Sequence, residues 1–440
     1  MVEAATKIEN LGDRGMAGAG DERLKSAAQA VEALYTFRDT FTEHHSGDEV
    51  AGKKQQVERR LQDVLKVVQE LEGLGFNKGE LLLLRGRALN VTSEYRPDAE
   101  HALGLAVKLE PRRPDAWNEL GQTCWKKGDM DAAKDCFVSA LSHERNKVSL
   151  RGLSMVLRQL PVVGESRRNN VQQSVTYAKE AVEMDLNDGV SWYVLGNANF
   201  ILFFIEGQNP KFLRLALCAY TQAEKVDKRS SQNPDLHLNR AVLLCYEQRY
   251  ADALADLERA QALDPEFSNS LAQKQHLLHF LNRLTELVTC KGGLIPRRLA
   301  AYSRAVQQEE SKAKGRGQSR LVPLSGLKPG KNPNCQLLGK VVFYLNAQEE
   351  LPIVLGLLDS EGECVTIAVY NASPTWAVFL GDSVLVQNPQ FTKHNVEHEG
   401  KVFSFPCIRV DSPLLLLING KKQCAQQQVV TTATSVSKQE

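Results

Sequence analysis

At 440 residues the chain exceeds what one hydrophobic core organises, so two or three domains are expected. With 42% hydrophobic and 24% charged residues, the composition excludes a collagen-like, low-complexity or membrane-embedded chain. A net charge of +1 gives the chain as a whole no pull on nucleic acid or an anionic membrane, so any such contact must come from a local patch.

The stretch through Asp21 is rich in Gly and Ala and is expected to be disordered. From Glu22, apolar residues recur at helical spacing (Ala27, Val31, Leu34, Phe37, Phe41), and a second stripe follows (Val57, Leu61, Val64, Leu65, Val68, Leu71). These predict amphipathic N-terminal helices within residues 22–78.

Next comes a repeat of roughly 34 residues, the period of tetratricopeptide helix pairs. Small residues at positions 8, 20 and 27 let antiparallel helices approach, while large residues at 4, 7 and 24 fill the gaps. The stretch from Pro114 fits with Trp117, Leu120, Gly121, Ala133, Phe137 and Ala140, although Arg145 stands where a proline is usual. Another begins at Pro234, with Ala241, Ala253, Leu257, Ala260 and Pro265. Two copies are stretched. Leu195 and Gly196 pair with Tyr220 and Ala223 only across an insertion containing IEGQNP, and Leu153 and Ser154 pair with Ala178 and Ala181 across PVVGESRRNN. An earlier copy ends at Ala99, Leu103, Ala106 and Pro111. Five repeats and a capping helix (LAQKQHLLHFLNRLTELV) thus predict an α-solenoid over residues 79–290.

Residues 291–320 carry eight Lys/Arg against two Glu and read as a basic linker, helical around PRRLAAYSRAV. Beyond it the period becomes two. LLGKVVFYL, PIVLGLLDSEG, ECVTIAVYN, GDSVLVQ, KVFSFPCIRV and PLLLLING are strand-like runs separated by Gly, Pro and Asn turns. They predict a small C-terminal β-barrel, an OB-fold, over residues 321–421, with a loose tail from 422 to 440.

The nine cysteines are scattered, and no pair has CxxC spacing, which is the usage of a reduced compartment. No apolar signal core opens the chain, and no apolar run approaches the roughly 20 residues of a membrane span. The expected location is the cytosol, the nucleus, or both.

Motifs of catalysis are sparse. HNVEH (His394 to His398) spells an inverted zinc-protease signature, but that chemistry needs both histidines one turn apart on a helix. Here the segment lies between β-like runs and reads as a hairpin. GLKPGKNP lacks phosphate-loop spacing. Neither a catalytic site nor a metal or cofactor is expected, and no small-molecule substrate. OB-folds often bind single strands through basic grooves and aromatics. Phe343, Tyr344, Tyr370, Trp376, Phe379, Phe403 and Phe405 are available, and most are expected to fill the barrel. The segment 321–420 has six Lys/Arg against nine Asp/Glu, and a net −3 opposes phosphate binding. Nucleic-acid binding by the barrel therefore stands as the alternative reading.

The array offers a concave surface lined by the first helix of each pair. Gln122, Trp125, Lys126, Tyr193, Asn197, Phe200, Asp235, Val242 and Tyr246 fall at its inward positions. Asn side chains such as Asn197 and Asn239 suit a peptide backbone; Arg145 and Lys147 suit an acidic side chain, and Asp227 a basic one. Lys291, Arg297 and Arg298 follow the capping helix, where they would reach a polyanion such as ribosomal RNA. A peptide-binding adaptor is the expected function.

The segments LYTFRDTF, RGRALNVT, AVKLEP, WKKGDMDAA, RNKVSLRGLSMVLRQL, WYVLGN, QAEKVD, NPDLHLNRA, LLGKVVF and PLLLLINGK closely resemble the tetratricopeptide repeat protein 5 (Strap) family, from about Leu34 to Lys421. That resemblance implies a repeat array followed by an OB-fold. It also implies a stress-responsive cofactor that bridges acetyltransferase coactivators in the nucleus. In the cytoplasm it implies recognition of the N-terminal peptide of nascent tubulin at the ribosome, triggering decay of tubulin mRNA. A Met-Arg-Glu peptide would then set its Arg on Asp227 and its Glu on Arg145. KGGLIPRRL is less Lys-rich than the family's stretch after the capping helix.

Overall fold

The computed structural model of the chain describes residues 16–45, 52–72, 74, 76–313, 320–345, 352–373 and 376–424. The expected disorder of residues 1–15 and the looseness of the tail beyond 424 lie outside the described residues. Helix α1 already begins at Met16 and runs to Asp39, and α2 spans Lys53–Glu72. Their apolar stripes (Val31 and Leu34 with Val57, Leu61 and Val68) bury against each other and against Leu81 and Leu84 of α3 (Lys78–Leu89). The N-terminal helices therefore stack as one more helix pair in front of the array.

Five pairs follow: α3 with α4 (Pro97–Leu109), α5 (Pro114–Lys127) with α6 (Met130–His143), α7 (Lys147–Gln159) with α8 (Gly164–Met184), α9 (Gly189–Ile205) with α10 (Pro210–Val226), and α11 (Pro234–Tyr246) with α12 (Tyr250–Leu263). Proline opens α4, α5, α10 and α11, at a position where its missing N–H costs nothing. Asn77, Asp129, Asn146, Asn209 and Asn233 cap helix starts through their side-chain oxygens. The close approach of the helices is read directly from the small residues. A Cβ added to Gly152 would lie 2.4 Å from the Phe137 ring, and one on Gly196 would lie 2.5 Å from Tyr220. In the two stretched repeats the extra residues do not form long loops. They lengthen helices instead, to 21 residues in α8 and 17 each in α9 and α10.

The array closes with α13 (Ser268–Thr289), which seals the last pair through Leu277, Phe280, Leu281 and Leu284. Among the described residues no helix is long and apolar enough to cross a membrane.

The helix expected around PRRLAAYSRAV in the linker spans Pro296–Ala313 as an amphipathic helix, α14. Val306 is buried, Gln307 donates to the Ser360 carbonyl, and Glu309 lies 3.0 Å from Lys340, so this helix packs on the β-domain.

The sheet contains β1 (Arg320–Leu321), β2 (Gly330–Lys331), β3 (Cys335–Leu345), β4 (Ile353–Leu358), β5 (Cys364–Val369), β6 (Ser383–Gln387), β7 (Gln390–His398), β8 (Lys401–Val410), β9 (Leu416–Ile418) and β10 (Lys421–Lys422). Its order is β10-β9-β6-β3-β4-β5-β8-β7-β2, with β5 and β8 parallel. Because β6 pairs with β3, β7 pairs with β8, and only Asn388 and Pro389 separate β6 from β7, the sheet curls closed in OB-fold fashion. Leu337, Val341, Leu355, Ile367, Val384 and Ile408 fill the interior together with Trp376.

Of the other aromatic residues expected in that interior, most are elsewhere. Phe343, Tyr370, Phe403 and Phe405 leave the barrel's outer face and join the core of the last repeats, while Phe379 is 72% exposed. One continuous apolar cluster thus spans both domains, because β3, β4 and β5 are apolar on both faces.

Candidate functional site

The inner wall of the array is built from α5, α7, α9 and α11. On α5, Trp125 donates its indole N–H to Gln159 at the end of α7 (2.7 Å). Lys126 donates to the carbonyls of Asn90 and Thr92 at 2.6 and 2.7 Å, and burial pushes its ammonium down to about 8. These two predicted wall residues therefore tie neighbouring repeats together.

Between the third and fourth pairs lies a cluster of charge. Arg145 forms a two-pronged ion pair with Glu180 of α8 and stays 61% exposed. Lys147 lies 2.6 Å from Asp185, and its ammonium holds that carboxyl below the usual carboxylate range. Arg151, one turn on, reaches Asp188, which also accepts from the Ser191 hydroxyl. The two predicted anion-binding groups are thus engaged by acids of the chain itself. An exposed pair of this kind is worth only about 0–1 kcal/mol, so a guest carboxylate can exchange with Glu180 at small cost. Arg151 and Asp188 were not singled out from the sequence, although the repeat period places Arg151 at the inward fifth position of its helix.

Asn197 and Asn239 are brought together. The Asn197 side-chain oxygen accepts from the Tyr220 hydroxyl (2.8 Å) and from the Asn239 amide (3.2 Å), and Asn197 is buried. Two donors already fill that oxygen, so Asn197 positions Asn239. The half-buried Asn239 keeps its amide oxygen and second N–H without a partner among the described residues. Asp227 follows α10 and accepts from the Arg229 backbone N–H at 2.9 Å and from its guanidinium at 3.4 Å. Its side chain is 12% exposed, so a guest cation would have to take the place of Arg229. Val242 and Cys245 border a cavity of about 20 Å³ with Gln273, His276 and Leu277.

Beyond the array, Arg297 and Arg298 stand exposed on α14, with Arg298 over the Tyr302 ring. Lys291 is placed differently from that pair: its ammonium donates to the Gly362 carbonyl and lies 3.9 Å from Glu363, tying α13 to the barrel.

The barrel docks on the C-terminal end of the array. The Tyr246 carbonyl, at the end of α11, accepts from the Tyr370 hydroxyl (3.0 Å) and the Arg409 guanidinium (2.8 Å). A cation at a helix C-terminus is favoured by the helix dipole. Further bonds reach Gln248, Glu258 and Lys274, in the turn after α11, on α12 and on α13. The OB-fold face that usually receives oligonucleotides, here formed by β4 and β5, lies against the array. In β7 the HNVEH segment is extended. His394 is wedged between Tyr250 and Phe405, and His398 lies near Glu258 and Glu399, whose carboxylates the Lys274 ammonium bridges.

The sequence matches known proteins along nearly its whole length. The profile of the Tetratricopeptide repeat protein 5 OB fold domain covers residues 318–432, and a tetratricopeptide repeat profile covers 114–146. Human and mouse Tetratricopeptide repeat protein 5 are each 45% identical to the chain over 423 residues, which is 94% of this chain and 96% of theirs. The cattle protein of that name is 44% identical over 425 residues, 94% of this chain and 97% of its own. The solenoid, the barrel and the order in which they follow one another agree with these matches, and the chain belongs to the Tetratricopeptide repeat protein 5 family.

Proposed function

We propose that the chain is a non-catalytic adaptor that holds a short protein segment along the inner wall of its array. The observation that carries this reading is the placement of the barrel on the last helix pair and cap. Among the described residues, Lys147 and Arg151 of α7 and Asn197 of α9 bond within the array and not to the barrel. The exposed Arg145, the half-buried Asn239 and Asp227 supply a cation, an amide and a carboxylate for a guest carrying both charges and a backbone.

On the family resemblance, the guest is the N-terminal Met-Arg-Glu segment of nascent tubulin, met at the ribosome, and the outcome is decay of tubulin mRNA. Arg297 and Arg298 would contribute to the ribosome contact. On the same ground, a nuclear role bridging acetyltransferase coactivators in the stress and DNA-damage response is proposed, which places the protein in both cytoplasm and nucleus. Nucleic-acid binding by the barrel has less support, since the face that would serve it is apolar and covered.

The test is fluorescence polarisation with a labelled Met-Arg-Glu peptide against the wild type, Arg145→Ala and Asp227→Ala. Because each contact to the guest replaces an ion pair of the free protein, losing one should cost about 1 kcal/mol, so each variant should bind roughly fivefold more weakly. Unchanged affinity in both variants removes the assignment.

A further inference from the structure

We propose a second peptide site on this protein, in the cleft between β8 and α13, which takes an extended segment of a partner protein as an added strand.

The hairpin fixes which backbone groups of β8 are available. His398 and Lys401 flank a two-residue turn, Glu399-Gly400, with φ of 48° and 76°. That turn makes 398–401 a hydrogen-bonded pair, so Lys401, Phe403, Phe405 and Cys407 direct their N–H and C=O toward β7. The even-numbered residues point the other way. Val410 confirms this by accepting from the Tyr370 N–H on the β5 side, as does the Pro406 carbonyl, which accepts from Thr366. β5 covers β8 only from Cys407 to Val410. Val402 and Ser404 are therefore left with outward N–H and C=O groups that no described residue takes up.

A cleft of about 510 Å³ opens at this place, bounded by Val402 and Phe403 of β8 and by Thr285, Glu286 and Thr289 of α13. Adjacent strand residues project to opposite faces, so a cleft that touches both Val402 and Phe403 lies at a strand edge. β7 occupies the other edge, which leaves the free one. A strand edge facing a helix across an open cleft is the geometry by which extended peptides add to a sheet through main-chain hydrogen bonds. Val402 is 57% exposed at its lip.

Charge narrows the guest. Arg283 on the cleft wall is 3.6 Å from Glu286, while Lys401 has no ion pair among the described residues, so the rim carries one net positive charge. The fitting partner is an extended stretch of about four residues, without proline at its pairing positions and with a carboxylate side chain directed at Lys401.

The cleft is distinct from the array's inner wall, and the experiment separates the two. Random heptapeptides displayed on phage are selected on the full chain, and the selected peptides are measured against variants. Ser404→Pro removes one outward N–H and no bond to β7, and Pro406 already occupies the equivalent position two residues on. Thr289→Trp fills the cleft from the exposed end of α13 and tests the site even if the hairpin does not tolerate the proline. The proposal expects peptides whose affinity falls at least fivefold in either folded variant, stays unchanged in Arg145→Ala, and is lost on N-methylation of alternate peptide residues. It is overturned if selection yields no peptide, or only peptides that both variants bind normally. It is likewise overturned if the chain forms a concentration-dependent dimer that Ser404→Pro abolishes, for the edge would then serve a second copy of the chain.

Discussion

Between Tyr250 and Phe405 the ring of His394 sits 5.3 and 5.1 Å from its aromatic neighbours, and its buried Nε2 has no hydrogen-bond partner among the described residues. Burial pushes this imidazole down to about 4. The folded protein thus refuses a proton that the unfolded chain accepts near the ordinary histidine value of about 6.5. Stability from this residue is fully present above that value and is lost as pH falls toward 4. Urea melts should show about 2 kcal/mol less stability from this residue at pH 5 than at pH 7.5, and His394→Phe should remove that part of the acid sensitivity. An equal acid loss in the variant would assign the effect elsewhere. The same residue shows how far sequence reading reached. Its place between β-like runs marked HNVEH as part of a hairpin, while the burial of His394 depends on Tyr250, well over a hundred residues earlier in the chain. No local pattern carries that information.

Helix pairs were legible because the repeat is a steric code. Phe137 is fully buried, and its ring contacts the space beside both Gly121 on α5 and Gly152 on α7, so one side chain joins two consecutive pairs. Phe137→Ala should cost about 3–5 kcal/mol in chemical denaturation. A cost below 1 kcal/mol would mean that the repeats can close over the cavity. Gly152→Ala should destabilise by about 1–3 kcal/mol for the opposite reason, since its Cβ overlaps that ring. The stretched repeats were legible only in part: small and large residues showed that residues had been added, but helical geometry decided where they went. Within α9, the run from Phe200 to Ile205 continues the apolar stripe, so the added turn buries more surface than a loop would.

At the scale of the molecule, the array and the barrel act as one body because their contact is a core. Arg409 lies 4.0 Å above the Tyr370 ring and donates to Tyr246, which makes it the polar pin of that contact. Arg409→Ala loses a charged hydrogen bond and a cation–π contact, about 2–3 kcal/mol together. In calorimetry the wild type should unfold in one transition, and the variant should show the barrel and array melting apart. A single, unshifted transition in the variant would show that the apolar cluster alone couples them.

Periodicity alone determined the helix pairs, the change from helix to strand near residue 320 and the hairpin at Glu399-Gly400, because each depends on neighbours within a few turns or one strand pair. The unbroken apolar runs VVFYL, IVLGLL and CVTIAV held a further signal, since a strand buried on one face only would alternate. Only the tertiary structure decided what covers their second face and that the helix after the cap is laid on the barrel. Those outcomes depend on surfaces that become neighbours only after the solenoid has curved, and curvature is a sum of small packing angles that no single segment encodes.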